Sequence, residues 1–251
     1  MATPTARRIV GVSTKMYFSA ARTRQYVDEV VKLISASHPG SNVDIFIIPD
    51  LLTVSSTLDQ LRGTGIWCGV QDASDKDEGA FTGEVSPAVA AELGCRLVEV
   101  GHAERRRLFG ETDESTARKA AAAARNGLIP LVCIGEKTAD SKEAIVECYS
   151  QVEPVLAAVP DEAEVVLAYE PVWAIGAAQP AGVDYVVSVA NAIRGFDCVQ
   201  KRKGTTRIIY GGSAGPGLFA GLKDGLDGMF LGRFAHEPQQ FYKTIQEIAE
   251  A

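Results

Sequence analysis

The sequence has only five cysteines, and they follow no pattern. Their number is odd, they are scattered along the chain, and no two of them form a C-x-x-C pair. Disulfide frameworks and zinc clusters both require paired or regularly spaced cysteines, so neither is predicted. The chain also has only three histidines, His38, His102 and His236, and no pair of histidines or carboxylates has the spacing of metal ligands. We therefore expect neither a metal nor a cofactor.

Long hydrophobic runs and an excess of positive charge are missing as well. Apolar runs such as IFII are far too short to span a bilayer, and the basic start MATPTARRIVGVST lacks the apolar core of a secretory signal. The net charge is -7, and the one dense basic run, at 105–107, is offset by Glu104 and Glu111. Such a chain is expected to bind neither membranes nor nucleic acid, and to be cytoplasmic.

The sequence does contain a repeated strand and helix pattern over its whole length. Apolar residues make up 46% and charged residues 23% of the 251 residues, as in ordinary globular proteins. Short β-branched runs alternate with amphipathic segments such as the stripe of Val27, Val30, Val31 and Ile34. The eight runs are 8–13, 43–49, 66–71, 96–100, 128–134, 165–169, 207–210 and 228–232.

Eight strand and helix units predict an α/β fold with parallel strands and right-handed crossovers, closed into a (β/α)8 barrel. A doubly wound open sheet is the competing architecture, but it usually has fewer strands and would leave two edges to cover. No Pro/Gly/Ser-rich linker interrupts the pattern. Residues 1–251 are therefore predicted to form a single domain.

Polar residues directly after the strand runs are the candidates for a site, because the carboxyl ends of barrel strands converge on one face. Each residue alone has an ordinary explanation as an exposed side chain or a tight turn, and only their shared predicted face favours function. The candidates are Lys15, His102, Glu170, Gly211 to Ser213, and Gly232 with Arg233.

These residue types suit proton transfer on a phosphorylated substrate. Glu170, desolvated by Val172, Trp173 and Ile175 when their loop closes, would be a stronger base for a proton next to a carbonyl. His102 and Lys15 would stabilise the resulting oxyanion. Glycines in YGGSAG and LGR let backbone N–H groups approach a phosphate, and a predicted helix from Pro216 to Lys223 would add its positive end.

Two motifs indicate other functions, and both are weak. Ser213 lies in a G-x-S-x-G motif, followed by Asp224 or Asp227 and His236 in the order of a hydrolase triad, but too little chain follows for a hydrolase sheet. The stretch GPGLFA fits a dinucleotide fingerprint, but it lies in the seventh unit, where a Rossmann domain could not be completed.

Five segments resemble the triose-phosphate isomerase family in order and over essentially the whole chain. They are GAFTGEVSP, GHAERRRLFGETDE, VCIGE, AYEPVWAIG and RIIYGGS. The resemblance implies a single-domain TIM barrel and the proton-transfer chemistry established for that family. By resemblance, Glu170 is the base, His102 the neutral electrophile, Lys15 the cation, and Glu104 the residue that holds the charge network.

The same resemblance implies further roles. Gly176 and Ser213 would donate to the substrate phosphate, residues 171–179 would form a closing lid, and Cys133 would be a packed neighbour rather than a nucleophile. The loop from Gly79 to Glu84 would reach into a second subunit through Thr82, which implies a homodimer.

The departures from the family pattern concern the substrate. Ser13 replaces an amide and enlarges the pocket, Thr14 replaces an aromatic residue, and Ala103 replaces a serine. Gly232 is followed by Arg233 instead of a second glycine, which adds a planar cation where phosphate would bind. The lid end reads GAAQPAG. These changes resemble a branch of the family that isomerises tetrulose phosphates such as erythrulose 1-phosphate.

Three functions remain open at this point. The first is an aldose–ketose isomerase of triose phosphates, which would serve glycolysis and gluconeogenesis and is only narrowly ahead of the second, an isomerase of a tetrulose phosphate. The third is a non-catalytic barrel that binds a phosphorylated metabolite. Retention of Lys15, His102 and Glu170 together argues against the third.

Overall fold

Eight parallel strands pair in chain order, and the first closes on the last. The computed structural model describes residues 7–37, 42–177 and 179–251. The strands are β1 Arg8–Ser13, β2 Val43–Ile48, β3 Trp67–Val70, β4 Leu97–Val100, β5 Ile129–Ile134, β6 Val165–Tyr169, β7 Thr206–Gly212 and β8 Gly228–Leu231. The predicted (β/α)8 barrel is therefore confirmed, whereas the assignment of all residues 1–251 to one domain stays a prediction.

Helices surround the barrel, and their apolar faces pack against its strands. Within the described residues they are α1 Ala20–Ser37, α2 Val54–Leu61, α3 Pro87–Leu93, α4 Ala103–Phe109, α5 Asp113–Arg125, α6 Ser141–Ala158, α7 Val183–Arg194, α8 Asp197–Gln200, α9 Phe219–Leu222 and α10 Pro238–Ala249. None of these described helices is both long and apolar enough to cross a membrane.

Two predicted elements differ from the structure. Strand β7 continues beyond Tyr210, because Gly211 and Gly212 keep the register with Phe230 and Leu231 of β8. The helix predicted from Pro216 to Lys223 is reduced to the four residues of α9. A single turn of helix has too few aligned peptide dipoles to supply the expected positive end.

Alternate residues of a strand face opposite sides of the barrel wall, and this alternation selects the side chains at the site. In β4, Leu97 packs in the barrel interior, whereas Val98 and Val100 pack in the layer between strands and helices. Glu99 therefore points into the barrel. By the same rule Ser13, two positions beyond the buried Gly11, faces inward at the end of β1.

Closure of the barrel depends on a close approach between β8 and β1. A methyl group at Gly228 would lie 1.6 Å from the backbone oxygen of Ile9. Gly182, at the start of α7, has no atom within 4 Å of the same position. The two glycines therefore form a matched pair for testing closure.

We expect Gly228→Ala to lower the free energy of unfolding by about 3 kcal/mol or more, because the added methyl group must push two backbones apart. Gly182→Ala should cost no more than about 1 kcal/mol. Urea denaturation at equal protein concentration measures both values. Equal losses of unfolding free energy in the two variants would contradict the proposed role of the close contact between β8 and β1.

Candidate active site

The predicted site residues meet at one cavity of about 280 Å³ at the carboxyl ends of the strands. We refer to it as the central cavity. Of the residues predicted from the sequence, Gly211 does not line it, and ten do, namely Ser13, Lys15, His102, Glu104, Glu170, Gly176, Gly212, Ser213, Gly232 and Arg233.

Glu170 follows β6 directly, and its side chain is 8% exposed. It packs against the barrel wall, since a methyl group at Gly211 would lie 2.4 Å from its Cγ atom. The Cys133 thiol donates to its Oε1 atom at 3.9 Å. Burial and the neighbouring Glu170 raise the pKa of the Cys133 thiol well above its ordinary value, so Cys133 remains a neutral thiol.

His102 is fixed by the start of helix α4. The backbone N–H of Glu104 donates to its Nδ1 atom at 3.1 Å, and its Nε2 atom lies 3.5 Å from Oε2 of Glu170. Burial works to lower the pKa of His102, but the Glu170 carboxylate outweighs it and raises that pKa. A nitrogen that accepts a backbone N–H cannot carry a proton, so we assign a neutral ring with its proton on Nε2.

Lys15 is held in an unusual backbone conformation. Its φ of 47° is in the left-handed region, which costs about 1–2 kcal/mol for a residue with a Cβ atom. Its Nζ atom donates to Oε1 of Glu104 at 2.7 Å. Burial works to lower the pKa of Lys15, but Glu104 and Glu170 outweigh it and raise that pKa, so the ammonium group keeps its charge.

The segment after Glu170 is tied to the rest of the barrel. The Nε1 atom of Trp173 donates to Oε1 of Glu136 at 2.8 Å, and the Ser213 hydroxyl donates to the backbone oxygen of Ala177 at 2.9 Å. Residue 178 of the predicted lid lies outside the described residues.

Desolvation of Glu170 was predicted to come from Val172, Trp173 and Ile175. Of these three, only Ile175 lines the central cavity with Glu170, and the other two are each 37% exposed. The Trp173 indole bonds to Glu136 in this structure, and desolvation of Glu170 by these three residues on closing of the loop stays a prediction. Gly211 and Cys133 of the barrel wall cover the carboxylate.

The opposite end of the central cavity is formed by Gly176, Gly232 and Arg233. The Arg233 side chain is exposed, and its Nη2 atom lies 3.5 Å from the position of a methyl group added at Gly176. No carboxylate in the described part of the chain forms an ion pair with Arg233. The cation therefore stands free at the rim, next to the lid.

His236 lies beside the end of β1, next to the site. A ring nitrogen of His236 lies 3.4 Å from the backbone oxygen of Ser13, and the ring packs edge-on against Tyr17 and Phe18. His38 lies outside the described residues. The Ser213 hydroxyl bonds to a backbone oxygen of the lid, so the hydrolase interpretation receives no support from its contacts.

One residue at the site was missed by the sequence analysis. Glu99 is 3% exposed, and its Oε2 atom has no hydrogen-bond partner among the described residues. Burial and the neighbouring Glu170 raise its pKa from the ordinary 4.5 to about 7, against the lowering effects of Lys15 and the Ser13 hydroxyl. A charged residue at an inward position of a strand would have been the signal that identifies it.

A proton-transfer enzyme on a (β/α)8 barrel is the class of protein that this arrangement defines. A buried carboxylate, a neutral imidazole and an ammonium group surround one small cavity at the face where barrel enzymes bind their substrates.

Comparison with known proteins identifies the family. The family model described as triosephosphate isomerase matches residues 8–248. L-erythrulose-1-phosphate isomerases from Pectobacterium atrosepticum and Mycolicibacterium smegmatis are 43% and 37% identical to this chain, over 95% and 96% of it and 94% and 92% of their own lengths. Triosephosphate isomerase of Aquifex aeolicus is 34% identical, over 95% of this chain and 98% of its own. The chain belongs to the triosephosphate isomerase family, and it is an isomerase of the intramolecular oxidoreductase class.

The buried carboxyl group of Glu99 predicts a pH dependence of stability. Because its pKa is raised from 4.5 to about 7 on folding, the folded protein holds this proton more tightly than the unfolded chain. The stabilising contribution is complete below pH 4.5 and is lost as the pH rises through 7.

Relative to Glu99→Gln, which cannot titrate, the wild type should therefore lose about 3 kcal/mol of unfolding free energy between pH 4.5 and about 8. Denaturation curves of both proteins across this range measure the difference. A difference that stays constant with pH would contradict the proposed burial of an ionisable carboxyl group.

Proposed function

We propose that the protein isomerises a small phosphorylated sugar by moving a proton between adjacent carbons through an enediolate, with Glu170 as the base. The observation that carries this proposal is the position of the buried Glu170 carboxylate, 3.5 Å from Nε2 of His102 at the same cavity. A carbon placed beside the carboxylate would have its neighbouring oxygens within reach of the imidazole.

His102 and Lys15 act on the charge that develops. The Nε2–H group of His102 hydrogen-bonds the two substrate oxygens as the carbonyl moves from one carbon to the next. Lys15 supplies a positive charge beside them. Glu104 holds both groups, through its backbone N–H on His102 and its carboxylate on Lys15, so that neither must reorganise during the reaction.

The phosphate group lies at the other end of the central cavity in this proposal. Gly176 and Gly232 offer backbone N–H groups without side chains in the way, and Arg233 offers a planar cation. The hydroxyl of Ser213 already holds the lid, so its contribution to phosphate binding comes from the backbone N–H. The lid, residues 171–179, keeps water from the enediolate.

For the substrate we propose a tetrulose phosphate, erythrulose 1-phosphate. From the sequence alone, triose phosphate was narrowly ahead as the expected substrate. The two erythrulose-phosphate isomerases, however, are 43% and 37% identical to this chain, whereas the Aquifex triosephosphate isomerase is 34% identical. Ser13 and Arg233 also depart from the triose pattern. Triose phosphate remains the second candidate, because the proton-transfer residues suit either substrate.

This substrate changes the description of the reaction. Carbon 1 of erythrulose 1-phosphate carries the phosphate, so the enediolate must form between carbons 2 and 3. Glu170 removes the proton from carbon 3 and returns it to carbon 2, while the carbonyl moves to carbon 3. The product is a ketose phosphorylated at the other end of its chain, and the term aldose–ketose isomerase applies only to the triose reaction.

We further propose a cytoplasmic homodimer formed through the loop from Gly79 to Glu84, which includes Thr82. All residues of that loop are exposed, and Phe81 within it is 45% exposed. A second cavity, of about 470 Å³, opens beside this loop with Leu108 and the 67% exposed Phe109 on its rim. A second subunit would bury this apolar surface.

Turnover of the two candidate substrates tests the proposal. We expect the wild type to convert L-erythrulose 1-phosphate with a kcat/KM at least about tenfold above that for dihydroxyacetone phosphate, because the pocket is larger at the reacting end. Nuclear magnetic resonance of both reactions follows the products directly.

Glu170→Gln is the control, since it keeps the shape of the base but cannot take a proton. It should lower kcat by about a hundredfold or more on either substrate. Unchanged turnover in Glu170→Gln would overturn the assignment of the base, and faster triose turnover in the wild type would overturn the tetrulose assignment.

A further inference from the structure

Glu99 is a buried carboxyl group with no use in the mechanism above. It points into the barrel from β4, is 3% exposed, and leaves its Oε2 atom without a partner among the described residues. No lysine or arginine in those residues forms an ion pair with it. A buried polar atom without a partner costs folding free energy. A hydrogen bond from a bound ligand would therefore explain why a carboxyl group occupies this buried position.

Glu99 lies beside the reacting end of the central cavity. It lines the 470 Å³ cavity, which shares Ser13, Lys15, His102 and Glu104 with the central cavity but none of Gly176, Ser213, Gly232 or Arg233. The shared residues form the wall near the base and the imidazole. Of these, Ser13 has the smallest side chain, and the side chain of Glu99 interacts with it.

The proposed substrate has its extra atoms at this end, and the inference therefore rests on the proposed function. Erythrulose 1-phosphate is dihydroxyacetone phosphate with a hydroxymethyl group in place of one hydrogen on the carbon that loses its proton. With the phosphate held at Gly232 and Arg233, the chain runs past Glu170 and the hydroxymethyl group extends away from the phosphate. In this binding mode it would extend toward the wall at Ser13.

We propose that Glu99 is a specificity-determining residue, whose carboxyl group hydrogen-bonds the terminal hydroxyl of a tetrulose phosphate in the space left by Ser13. The hydroxyl group supplies the partner that the Oε2 atom lacks. Triose phosphates have no atom at this position, so they leave Glu99 unsatisfied and gain nothing from it. A longer side chain at position 13 would fill the space and block the hydroxymethyl group.

Glu99 also affects the charge balance during the reaction. Its pKa of about 7 lets the group carry a proton when the negative enediolate forms nearby. A protonated carboxyl group both donates and accepts hydrogen bonds, so it can bind a hydroxyl without adding a second negative charge beside Glu170.

The test compares Glu99→Leu, Glu99→Gln and the wild type in two measurements. The first is KM and kcat for L-erythrulose 1-phosphate, and the second is the inhibition constant of dihydroxyacetone phosphate as a competitor, which lacks the hydroxymethyl group. Glu99→Leu should raise the KM for the tetrulose phosphate about tenfold or more. The fold-increase in the inhibition constant of dihydroxyacetone phosphate should be smaller by a factor of at least about five. Glu99→Gln should restore much of the affinity, because an amide can still donate and accept.

Both variants are expected to fold, since each removes a buried carboxyl group, and thermal unfolding checks this. Ser13→Asn provides a second test, because filling the space should weaken binding of the tetrulose phosphate more than binding of dihydroxyacetone phosphate. If KM and the inhibition constant shift together, or neither shifts, Glu99 has only a structural role and the inference is wrong. If the wild type does not turn over L-erythrulose 1-phosphate, the tetrulose assignment itself fails, and the inference fails with it.

Discussion

The site depends on closure of the barrel between its first and last strands. Strand β1 pairs with β2 on one side and with β8 on the other, and Gly228 allows the backbone of β8 to meet that of Ile9. This closure brings Ser13 and Lys15, from the start of the chain, beside Gly232 and Arg233, from its end. Without it the reacting end and the phosphate end of the cavity would belong to separate edges of an open sheet.

Within the closed barrel, one residue, Glu104, organises the polar groups. Glu104 bonds to the Lys15 ammonium group through its side chain and to His102 through its backbone N–H. The first contact keeps Lys15 charged, and the second keeps His102 neutral. The two groups therefore have different protonation states although both lie near Glu170, and this difference suits the enediolate reaction proposed for the site.

Much of the fold follows from periodicity in the sequence. The β-branched runs predicted all eight strands, because a strand buried on both faces reads as a continuous apolar run. Strand β7 was predicted too short, because Gly211 and Gly212 are typical of turns, and their strand conformation is fixed by pairing with β8.

The site could be predicted in part, since barrel geometry places residues after strands at one face. Its finer contacts depend on tertiary structure that no local pattern encodes. Trp173 turns to Glu136, which is distant in the chain, and Ser213 bonds to the lid. Glu99 was not predicted as a site residue, because it lies inside the run LVEV and only residues after a run were considered. Its inward orientation follows from Leu97, since alternate residues of a strand face the same side.

The central claim is that an unchanged proton-transfer centre works on a substrate lengthened at its reacting end. The most direct measurement is a crystal structure of the Glu170→Gln variant with L-erythrulose 1-phosphate bound. We expect the phosphate against Gly232 and Arg233, carbon 3 next to the substituted side chain at position 170, and the terminal hydroxyl within about 3 Å of Glu99. A terminal hydroxyl that points to Arg233 or to solvent, with the carbon chain reversed, would contradict the central claim.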